Sequence, residues 1–349
     1  MKEVNFYIPS KRIFHTTACI AQGFIELGFK VRSNIPFSVQ NIDSRGISTP
    51  FSLTTPPPLH EINEANDGLF IIDVTHGFGP HEELIKHLNK KNFFIINMAD
   101  SANFQDFPEG LKVATAHFNK YAIREGNFYP MPFGLSADII KLASSFNMFA
   151  NRRPKIIHNF KPSLSQGVRN FLAISLENRL ESLNLLSHEY STGRDYAESL
   201  SRTSFICAYG GEIFRDLNRA SLYGDNSFET NQTYKFKQLT EEYVVLRWDS
   251  WRFYEAAVFG CIPIQLDFNK YGFELNASLD DGCYVNVDLA NLESSVNKIL
   301  DINRSVSSFC EVSQELRSWA LTHFCPAALA IYALNILGIT TFESLSDTL

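Results

Sequence analysis

The sequence predicts an α/β protein in which two doubly wound domains face each other across a cleft. Its 349 residues suggest two domains, at roughly one domain per 100–200 residues. Hydrophobic residues make up 45% and charged residues 20% of the chain, as in soluble proteins with sizeable cores. Short apolar runs typical of buried strands alternate with helical patterns along the sequence. In such sheets ligands bind where the strands end, so functional side chains are expected there.

The chain begins with a predicted strand, a loop and a helix. Residues 4–10 (VNFYIPS) are rich in β-forming residues. The helix that follows is predicted to have Thr16 or Thr17 near its N-cap and to end at Gly28, because hydroxyls cap first-turn amides and glycine tolerates a left-handed conformation. This order is the start of an α/β unit.

Two buried strands later in the first half end in polar residues. Residues 68–80 contain an apolar run that is followed by Asp73 and His76, and residues 93–104 contain another that is followed by Asp100. Both exits lie at the edge where a parallel sheet binds its ligands, so these three side chains are candidates for chemistry.

The alternation of strands and helices continues after a polar break at residues 151–155. The predicted organisation is an N-terminal domain over residues 1–145, a C-terminal domain over residues 150–320 and a last helix within residues 321–349. The apolar segment of that helix has about 15 residues, fewer than the roughly 18 of a membrane span, so a docked helix is expected.

The most informative stretch is SWRFYEAAVFGCIPIQL, residues 250–266. With Ser250 at the N-cap, a helix would run to Gly260 and a buried strand would follow. The first-turn amides, the helix dipole and Arg252 would then form an anion site suited to phosphate. Glu255, one turn further on, can accept from paired hydroxyls such as those of a ribose. The alternative is an amphipathic helix with a surface Arg–Glu pair; the long preceding loop and the buried strand favour a nucleoside diphosphate site.

This stretch resembles the C-terminal signature of exostosin-like glycosyltransferases, in which Ser-x-Arg-x-x-Glu-Ala precedes a Gly-Cys-Ile-Pro strand. More broadly, it is similar to the Glu-plus-Gly-x-Pro element of glycosyltransferases with the GT-B fold, which has two facing Rossmann-like domains and an interdomain cleft. The resemblance implies that Glu255 binds the ribose of a nucleotide-sugar donor and that Ser250 and Arg252 face its diphosphate. Trp251, between them, is assigned to the same donor site.

The resemblance also implies roles for the predicted domains. Residues 150–320 would bind the donor, residues 1–145 would lie on the acceptor side, and the last helix would pack back on the N-terminal domain. The segment NFYPMPFGLSADIIK is similar to the GT-B segment that crosses between domains. The residues at that crossing would be Phe133, Gly134 and Asp138.

Further donor contacts are predicted around the strand SFICAYG. Tyr209 and Gly210 follow it directly, and a glycine there permits close approach of the backbone to a ligand, although a plain tight turn fits the residues equally well. An insertion at residues 211–240 departs from the exostosin-like pattern. Arg247 is assigned to the donor site, because a cation would offset the charge of the leaving diphosphate. Two further cations that could share this role are Arg215 and Lys237.

A transfer that inverts the anomeric configuration needs a base on the acceptor side of the cleft. Asp73, His76 and Asp100 are the candidate catalytic residues, and His15 on the first loop is the acceptor-side candidate. Loop capping, helix capping and a satisfied core histidine are the alternative roles. A retaining reaction would not need this base, and the sequence does not separate the two outcomes.

Several classes of protein are disfavoured. The chain has no Asp-x-Asp, HExxH, EF-hand, P-loop, GxSxG or GxGxxG motif, so no metal and no cofactor are expected. The net charge of −7 argues against a nucleic-acid partner. The six cysteines lack metal or disulfide spacing, and the N-terminus lacks the pattern of a signal peptide. We therefore expect a cytoplasmic protein with at most peripheral membrane contact.

The function that these patterns favour is a glycosyltransferase that moves a sugar from a nucleotide-sugar donor to a saccharide or glycoconjugate acceptor. A role in cell-surface polysaccharide biosynthesis is expected. One alternative is a non-catalytic module of the same fold that binds a nucleotide-sugar or a glycan. Another is a sugar-nucleotide epimerase with the GT-B shape.

Overall fold

The computed structural model describes the parts of the chain that contain both predicted sheets. The described residues are 3–10, 12–37, 42–43, 68–75, 93–98, 110–116, 127–147, 152–159, 167–214, 244–246 and 250–339. The first sheet is built from residues before position 131 and the second from residues after position 152.

The first sheet has six parallel strands, and its strand order reverses at the first strand. In spatial order the strands are β3 (Lys30–Ser33), β1 (Glu3–Tyr7), β5 (Leu69–Asp73), β6 (Phe93–Asn97), β7 (Lys112–Thr115) and β8 (Asn127–Pro130). A short parallel pair, β2 (Ile13–Phe14) and β4 (Ile42–Asp43), lies outside it. The carboxyl ends of β1 and β5 therefore border the switch point of this sheet.

The second sheet has five parallel strands with the same kind of reversal. In spatial order they are β10 (Leu186–His188), β9 (Arg153–His158), β11 (Thr203–Cys207), β14 (Ile262–Leu266) and β15 (Val285–Val287). The switch point lies between β9 and β11. An antiparallel pair, β12 (Glu212–Phe214) and β13 (Val244–Leu246), brings together the two ends of the predicted insertion, most of which lies outside the described residues.

Ten helices are present in the described part of the chain. They are α1 (His15–Glu26), α2 (Ala137–Ser144), α3 (Gly167–Leu172), α4 (Asn178–Ser182), α5 (Gly193–Arg202), α6 (Trp251–Val258), α7 (Phe268–Tyr271), α8 (Leu292–Asn303), α9 (Val306–Phe324) and α10 (Pro326–Leu337). A π-helical turn, Ala173–Glu177, joins α3 to α4.

The start of α1 differs from the sequence prediction. The helix begins at His15 with Phe14 as its N-cap, and the Phe14 side chain makes no capping hydrogen bond. The two threonines expected to cap it make tertiary contacts instead: Thr16 donates to the Phe133 carbonyl at 2.9 Å and Thr17 to the Asp73 carboxylate at 2.7 Å. The predicted end is confirmed, because Gly28 follows the helix with φ +77°.

The last helix, α10, packs against α1 at very short range. A Cβ atom on Gly23 would lie 1.8 Å from the carbonyl oxygen of Pro326, so only glycine allows this approach. The Leu135 amide also donates to the Phe324 carbonyl at 2.9 Å. The C-terminal end of the chain thus contacts elements of the first half.

Within the described residues, no single helix is long and apolar enough to cross a membrane. The consecutive helices α9 and α10 meet the criteria of length and composition only as a pair that is bent by 54°.

Candidate functional site

Helix α6 begins at the position that the sequence predicts. Ser250 is its N-cap, with φ −145° and ψ 126°, and Gly260 follows its end with φ +65°. Ser250 is 3% exposed, and within the described part of the chain its hydroxyl has no hydrogen-bond partner. The first turn of α6 therefore presents backbone amides and a buried hydroxyl at one place.

Arg252 connects the first turn of α6 to the switch point of the second sheet through a hydrogen bond. Its Nη2 donates to the carbonyl of Asn159 at 2.5 Å, and Asn159 directly follows β9. The Asn159 side chain is held in turn by the backbone of Ser191, through bonds of 3.1 and 3.2 Å. The guanidinium is thereby fixed at the carboxyl end of β9, where doubly wound sheets bind ligands.

Glu255 is buried on the next turn of α6, beside Tyr196 of α5. Glu255 is 7% exposed. Burial raises the pKa of Tyr196 well above its usual range; the Glu255 charge raises it further, and the Arg252 charge opposes the rise. The phenol is therefore close enough to the carboxylate and to the guanidinium to feel both charges.

The phenol of Tyr209 makes a structural contact, and the donor-site role predicted for this residue stays a prediction. The side chain is fully buried, and its hydroxyl donates to the Glu177 carboxylate on the π-helical turn. The Tyr209 carbonyl accepts from Arg169 Nε at 3.2 Å. Gly211, with φ +116°, accepts from the Val168 amide at 3.1 Å. Gly210, between them, is buried, so this segment borders the switch point through its backbone.

A second polar group lies at the same end of the sheet, on the α3–α4 side. Glu177 Oε2 is 2.8 Å from Nδ1 of His158, the last residue of β9. The His158 ring is in turn 4.8 Å from that of His188, the last residue of β10. The Glu177 carboxylate therefore links the ends of β9 and β11.

Trp251 packs between the two halves of the chain. Its ring stacks on Phe133 at a centroid distance of 4.4 Å and an angle of 11°. It also contacts Phe14 at 5.6 Å and His15 at 4.5 Å. These partners all belong to the first half, so the first residue of α6 is an interdomain contact in addition to the donor-site role predicted for it.

His15, the acceptor-side candidate, has no exposed surface. Its Nε2 lies 3.3 Å from Cys19 Sγ, and one edge of the ring meets Trp251. Burial lowers the pKa of His15 to about 3. The imidazole is therefore neutral near pH 7 and belongs to the interdomain packing, where the sequence predicted an acceptor contact.

This burial predicts a dependence of stability on pH. Between pH 6.5 and about 3, the unfolded chain binds a proton at His15 and the folded chain does not. The free energy of unfolding should therefore fall as the pH drops below 6.5, by about 2 kcal/mol at pH 5 from this group. Urea unfolding at pH 7 and pH 5 measures it, with His15→Gln as the control. The difference between the two pH values should shrink in the variant; equal differences would contradict this assignment.

Asp73 occupies the carboxyl end of β5 and is engaged with the start of α1. Its Oδ2 accepts from the Thr17 hydroxyl and, at 3.4 Å, from the Phe14 amide, while Oδ1 accepts from the Thr75 amide at 3.0 Å. Asp73 is 2% exposed. These contacts favour a structural role for this carboxylate.

The other predicted residues, His76, Asp100 and Arg247, lie outside the described residues.

Gly134, at the predicted crossing between the domains, has φ +81°, and a Cβ atom there would lie 2.4 Å from Leu329 Cδ1. The backbone thus needs glycine at this position. Asp138 lies in the first turn of α2, whose N-cap Ser136 accepts from the Ile139 amide at 3.2 Å.

No group of three or more His, Cys, Asp or Glu side chains among the described residues could hold a metal ion. All six cysteines are free thiols, and four of them are buried. The donor set at the switch point consists of a guanidinium, hydroxyls, backbone amides and the Glu255 carboxylate.

Two residues near Arg252 and Glu255, namely Asn159 and Tyr196, were not among the predicted site residues. Asn159 carries a signal that could have revealed it, since it is a polar residue at the exit of a buried strand, like Asp73 and Asp100. Tyr196 carries no such signal, because it lies in the middle of an amphipathic helix.

Solved structures of an alpha-glucosyltransferase share the fold of this chain. The complex with UDP-glucose and DNA containing an abasic site has 12% sequence identity and a TM-score of 0.53, over 97% of this chain and 99% of that chain. The complex with UDP has 10% identity and a TM-score of 0.52, over 97% and 100%. No protein-family model and no curated protein matches the sequence. The fold is GT-B, which confirms the predicted pair of facing Rossmann-like domains.

Proposed function

We propose that this protein is a glycosyltransferase that moves a sugar from a nucleoside diphosphate donor to a saccharide or glycoconjugate acceptor. The observation that carries the proposal is the first turn of α6. Its N-cap Ser250 has a buried hydroxyl without a hydrogen-bond partner among the described residues, and its Arg252 guanidinium lies at the switch point of the second sheet. An anion is the ligand that such a helix start favours.

Each group at this site has a role in donor binding. The α6 amides and Ser250 hold the diphosphate, and Arg252 forms a forked pair with it. Glu255 accepts from the ribose hydroxyls, while the backbone of Tyr209 and Gly210 lines the opposite side. Arg247, which precedes the helix, adds a further cation. When the bond between the sugar and the diphosphate breaks, negative charge develops on the diphosphate, and these donors stabilise it without a metal ion.

The acceptor would bind on the side of the first sheet. For an inverting reaction, His76 and Asp100 are the candidate bases, because Asp73 is engaged with the start of α1. A retaining reaction proceeds without a base at these positions. Participation in cell-surface polysaccharide synthesis, in the cytoplasm, is part of this proposal.

The alpha-glucosyltransferase with the same fold is seen in complex with DNA, and the charge of the present chain favours a different acceptor. Proteins that bind nucleic acid neutralise phosphates with clusters of Lys and Arg. This chain has 31 such residues against 38 Asp and Glu. A saccharide or glycoconjugate fits that balance better, and a DNA duplex belongs in the test as a competing acceptor.

Donor turnover tests the proposal. The protein is incubated with UDP-glucose, UDP-N-acetylglucosamine and GDP-mannose, each alone, with oligosaccharide acceptors and with a DNA duplex, and nucleotide release is measured. Release that an oligosaccharide stimulates, that persists in EDTA and that is lost in Glu255→Ala is the expected result.

Three other outcomes would redirect the proposal. Nucleotide binding without turnover of any donor would favour the non-catalytic binding module. An isomerised sugar-nucleotide formed without an acceptor would favour the epimerase. Stimulation by DNA alone would overturn the saccharide acceptor.

A further inference from the structure

Four aromatic rings from the two halves of the chain meet at the start of α6 and form an interdomain ring cluster. They belong to Trp251 of α6 and, in the first half, to Phe14, His15 and Phe133. Trp251 stacks on Phe133, and the Phe14 ring contacts both, at centroid distances of 5.6 and 5.8 Å. The three rings of the first half are buried, and Trp251 is half-buried. Because ring pairs depend on distance and angle, this cluster fixes how α6 is oriented against the first half.

In the first half, the ring cluster is anchored to the carboxyl end of β5. The Phe14 amide donates to Asp73 Oδ2 at 3.4 Å, and the Thr17 hydroxyl donates to the same atom at 2.7 Å. The Thr16 hydroxyl donates to the Phe133 carbonyl at 2.9 Å. Asp73 is the last residue of β5 and borders the switch point of the first sheet, which lies on the acceptor side in the proposed function. The rings therefore keep a fixed position relative to that strand end.

In the second half, the ring cluster is part of the turn that forms the proposed donor site. Trp251 lies between Ser250 and Arg252, the two residues assigned to the diphosphate. Backbone hydrogen bonds make this turn rigid, and one of them joins the Phe253 amide to the Ser250 carbonyl at 3.0 Å. A shift of the turn would therefore move the anion site and separate the Trp251 ring from Phe133 at the same time.

Sugar transfer depends on the distance between these two regions. The acceptor oxygen bonds to the anomeric carbon while the bond from that carbon to the diphosphate breaks. The nucleoside diphosphate leaves with the electron pair, and the hydroxyl proton passes to a base or to the departing diphosphate. A displacement of the reacting groups by about 1 Å can cost about 100-fold in rate. With the donor on α6 and the acceptor near the end of β5, contacts between the two halves set this distance.

We propose that Trp251 is a positioning residue, whose ring holds the donor site at a fixed distance and orientation from the carboxyl end of β5. This inference rests on the proposed function of the site. Two other roles compete with it. One is direct contact with the donor, as the sequence predicts for this residue. The other is plain packing, in which the ring contributes only to stability.

Calorimetry and turnover of Trp251→Leu separate these roles. Titration with UDP and GDP gives the affinity and the number of folded sites. Nucleotide release from UDP-glucose, UDP-N-acetylglucosamine and GDP-mannose with oligosaccharide acceptors gives kcat per folded site. We expect the wild-type affinity, because Ser250, Arg252 and the first-turn amides remain, and a kcat about 100-fold lower. Trp251→Phe keeps a ring that can stack on Phe133 and should recover most of the lost rate.

A variant in the first half tests the same contact from the other side. Phe133→Leu removes the partner ring, and it should lower kcat by a similar factor while the nucleotide affinity stays unchanged. The double variant with Trp251→Leu should then be no slower than either single variant, because residues that act through one contact have non-additive effects. Losses that multiply in the double variant would show that the two rings act separately and would overturn the proposed role.

The matched control is Trp319→Leu, which makes the same substitution on α9. The Trp319 ring contacts Phe253, His323 and Phe324, and its indole N–H donates to the Ser278 carbonyl at 2.8 Å. Loss of these contacts should lower the melting temperature. The affinity and the kcat per folded site should remain those of the wild type.

The outcomes separate this inference from the proposed function. Wild-type affinity and wild-type kcat in Trp251→Leu would reduce the ring to packing, and an affinity that falls by about tenfold or more would assign it to the donor. Either result would overturn the positioning role and leave the glycosyltransferase intact. A folded wild-type protein that releases no nucleotide from any of these donors would overturn the proposed function, and the role of Trp251 with it.

Discussion

Replacing Arg252 with alanine should weaken nucleoside diphosphate binding by about 100-fold, which corresponds to roughly 3 kcal/mol. The substitution removes a forked cation from the anion site, together with the bond to the Asn159 carbonyl that fixes its position. Lysine keeps the charge but lacks the fork, so Arg252→Lys should bind more tightly than the alanine variant and less tightly than the wild type. Calorimetry with UDP and GDP measures all three proteins.

The matched control for this prediction is Arg304→Ala. The Arg304 side chain is 77% exposed at the end of α8, and its ion pair with Asp301 is a surface contact. That variant should bind nucleotide as the wild type does. Equal affinities of Arg252→Ala and Arg304→Ala, with both proteins folded by circular dichroism, would remove Arg252 from the site.

The largest expected loss of stability comes from Gly23→Ala. The new Cβ atom would lie 1.8 Å from the Pro326 carbonyl oxygen and 2.3 Å from its carbon, and both are backbone atoms. Helices α1 and α10 must therefore move apart. Alanine is the better helix former by about 1 kcal/mol, but overpacking of this kind costs more, and we expect a net loss of about 2–3 kcal/mol.

Urea unfolding of Gly23→Ala measures this loss, with Ile25→Ala on the same helix as the control. Ile25 is 41% exposed, so its truncation should cost less than about 1 kcal/mol. A Gly23→Ala protein as stable as the wild type would show that α10 does not approach α1 as closely as the structure places it.

Local patterns were enough to predict the buried strands β5 and β14 and the start of α6. The apolar runs before Asp73 and before Asp267 became β5 and β14, because a buried parallel strand needs apolar residues on both faces. Ser250 lies at the start of α6 and Gly260 just after its end, as predicted, because the end of a helix depends on the residues next to it.

The features that the sequence left undetermined depend on contacts distant along the chain. Thr17 does not cap α1, because its hydroxyl reaches Asp73, 56 residues away. The Tyr209 phenol turns into the core because Glu177 offers an acceptor there. Trp251 stacks on Phe133 only because the two halves are oriented as they are. No local pattern encodes these pairings.

The most direct measurement is a thermal-shift screen of the wild-type protein against UDP, GDP, CMP and their common sugars. Ligand at roughly 100 times its dissociation constant stabilises a folded protein by about 2.7 kcal/mol, so binding must raise the melting temperature. We predict a shift with one nucleoside diphosphate, and its loss in Glu255→Ala and Arg252→Ala. A folded protein whose melting temperature does not move with any of these nucleotides would contradict the donor site at the start of α6.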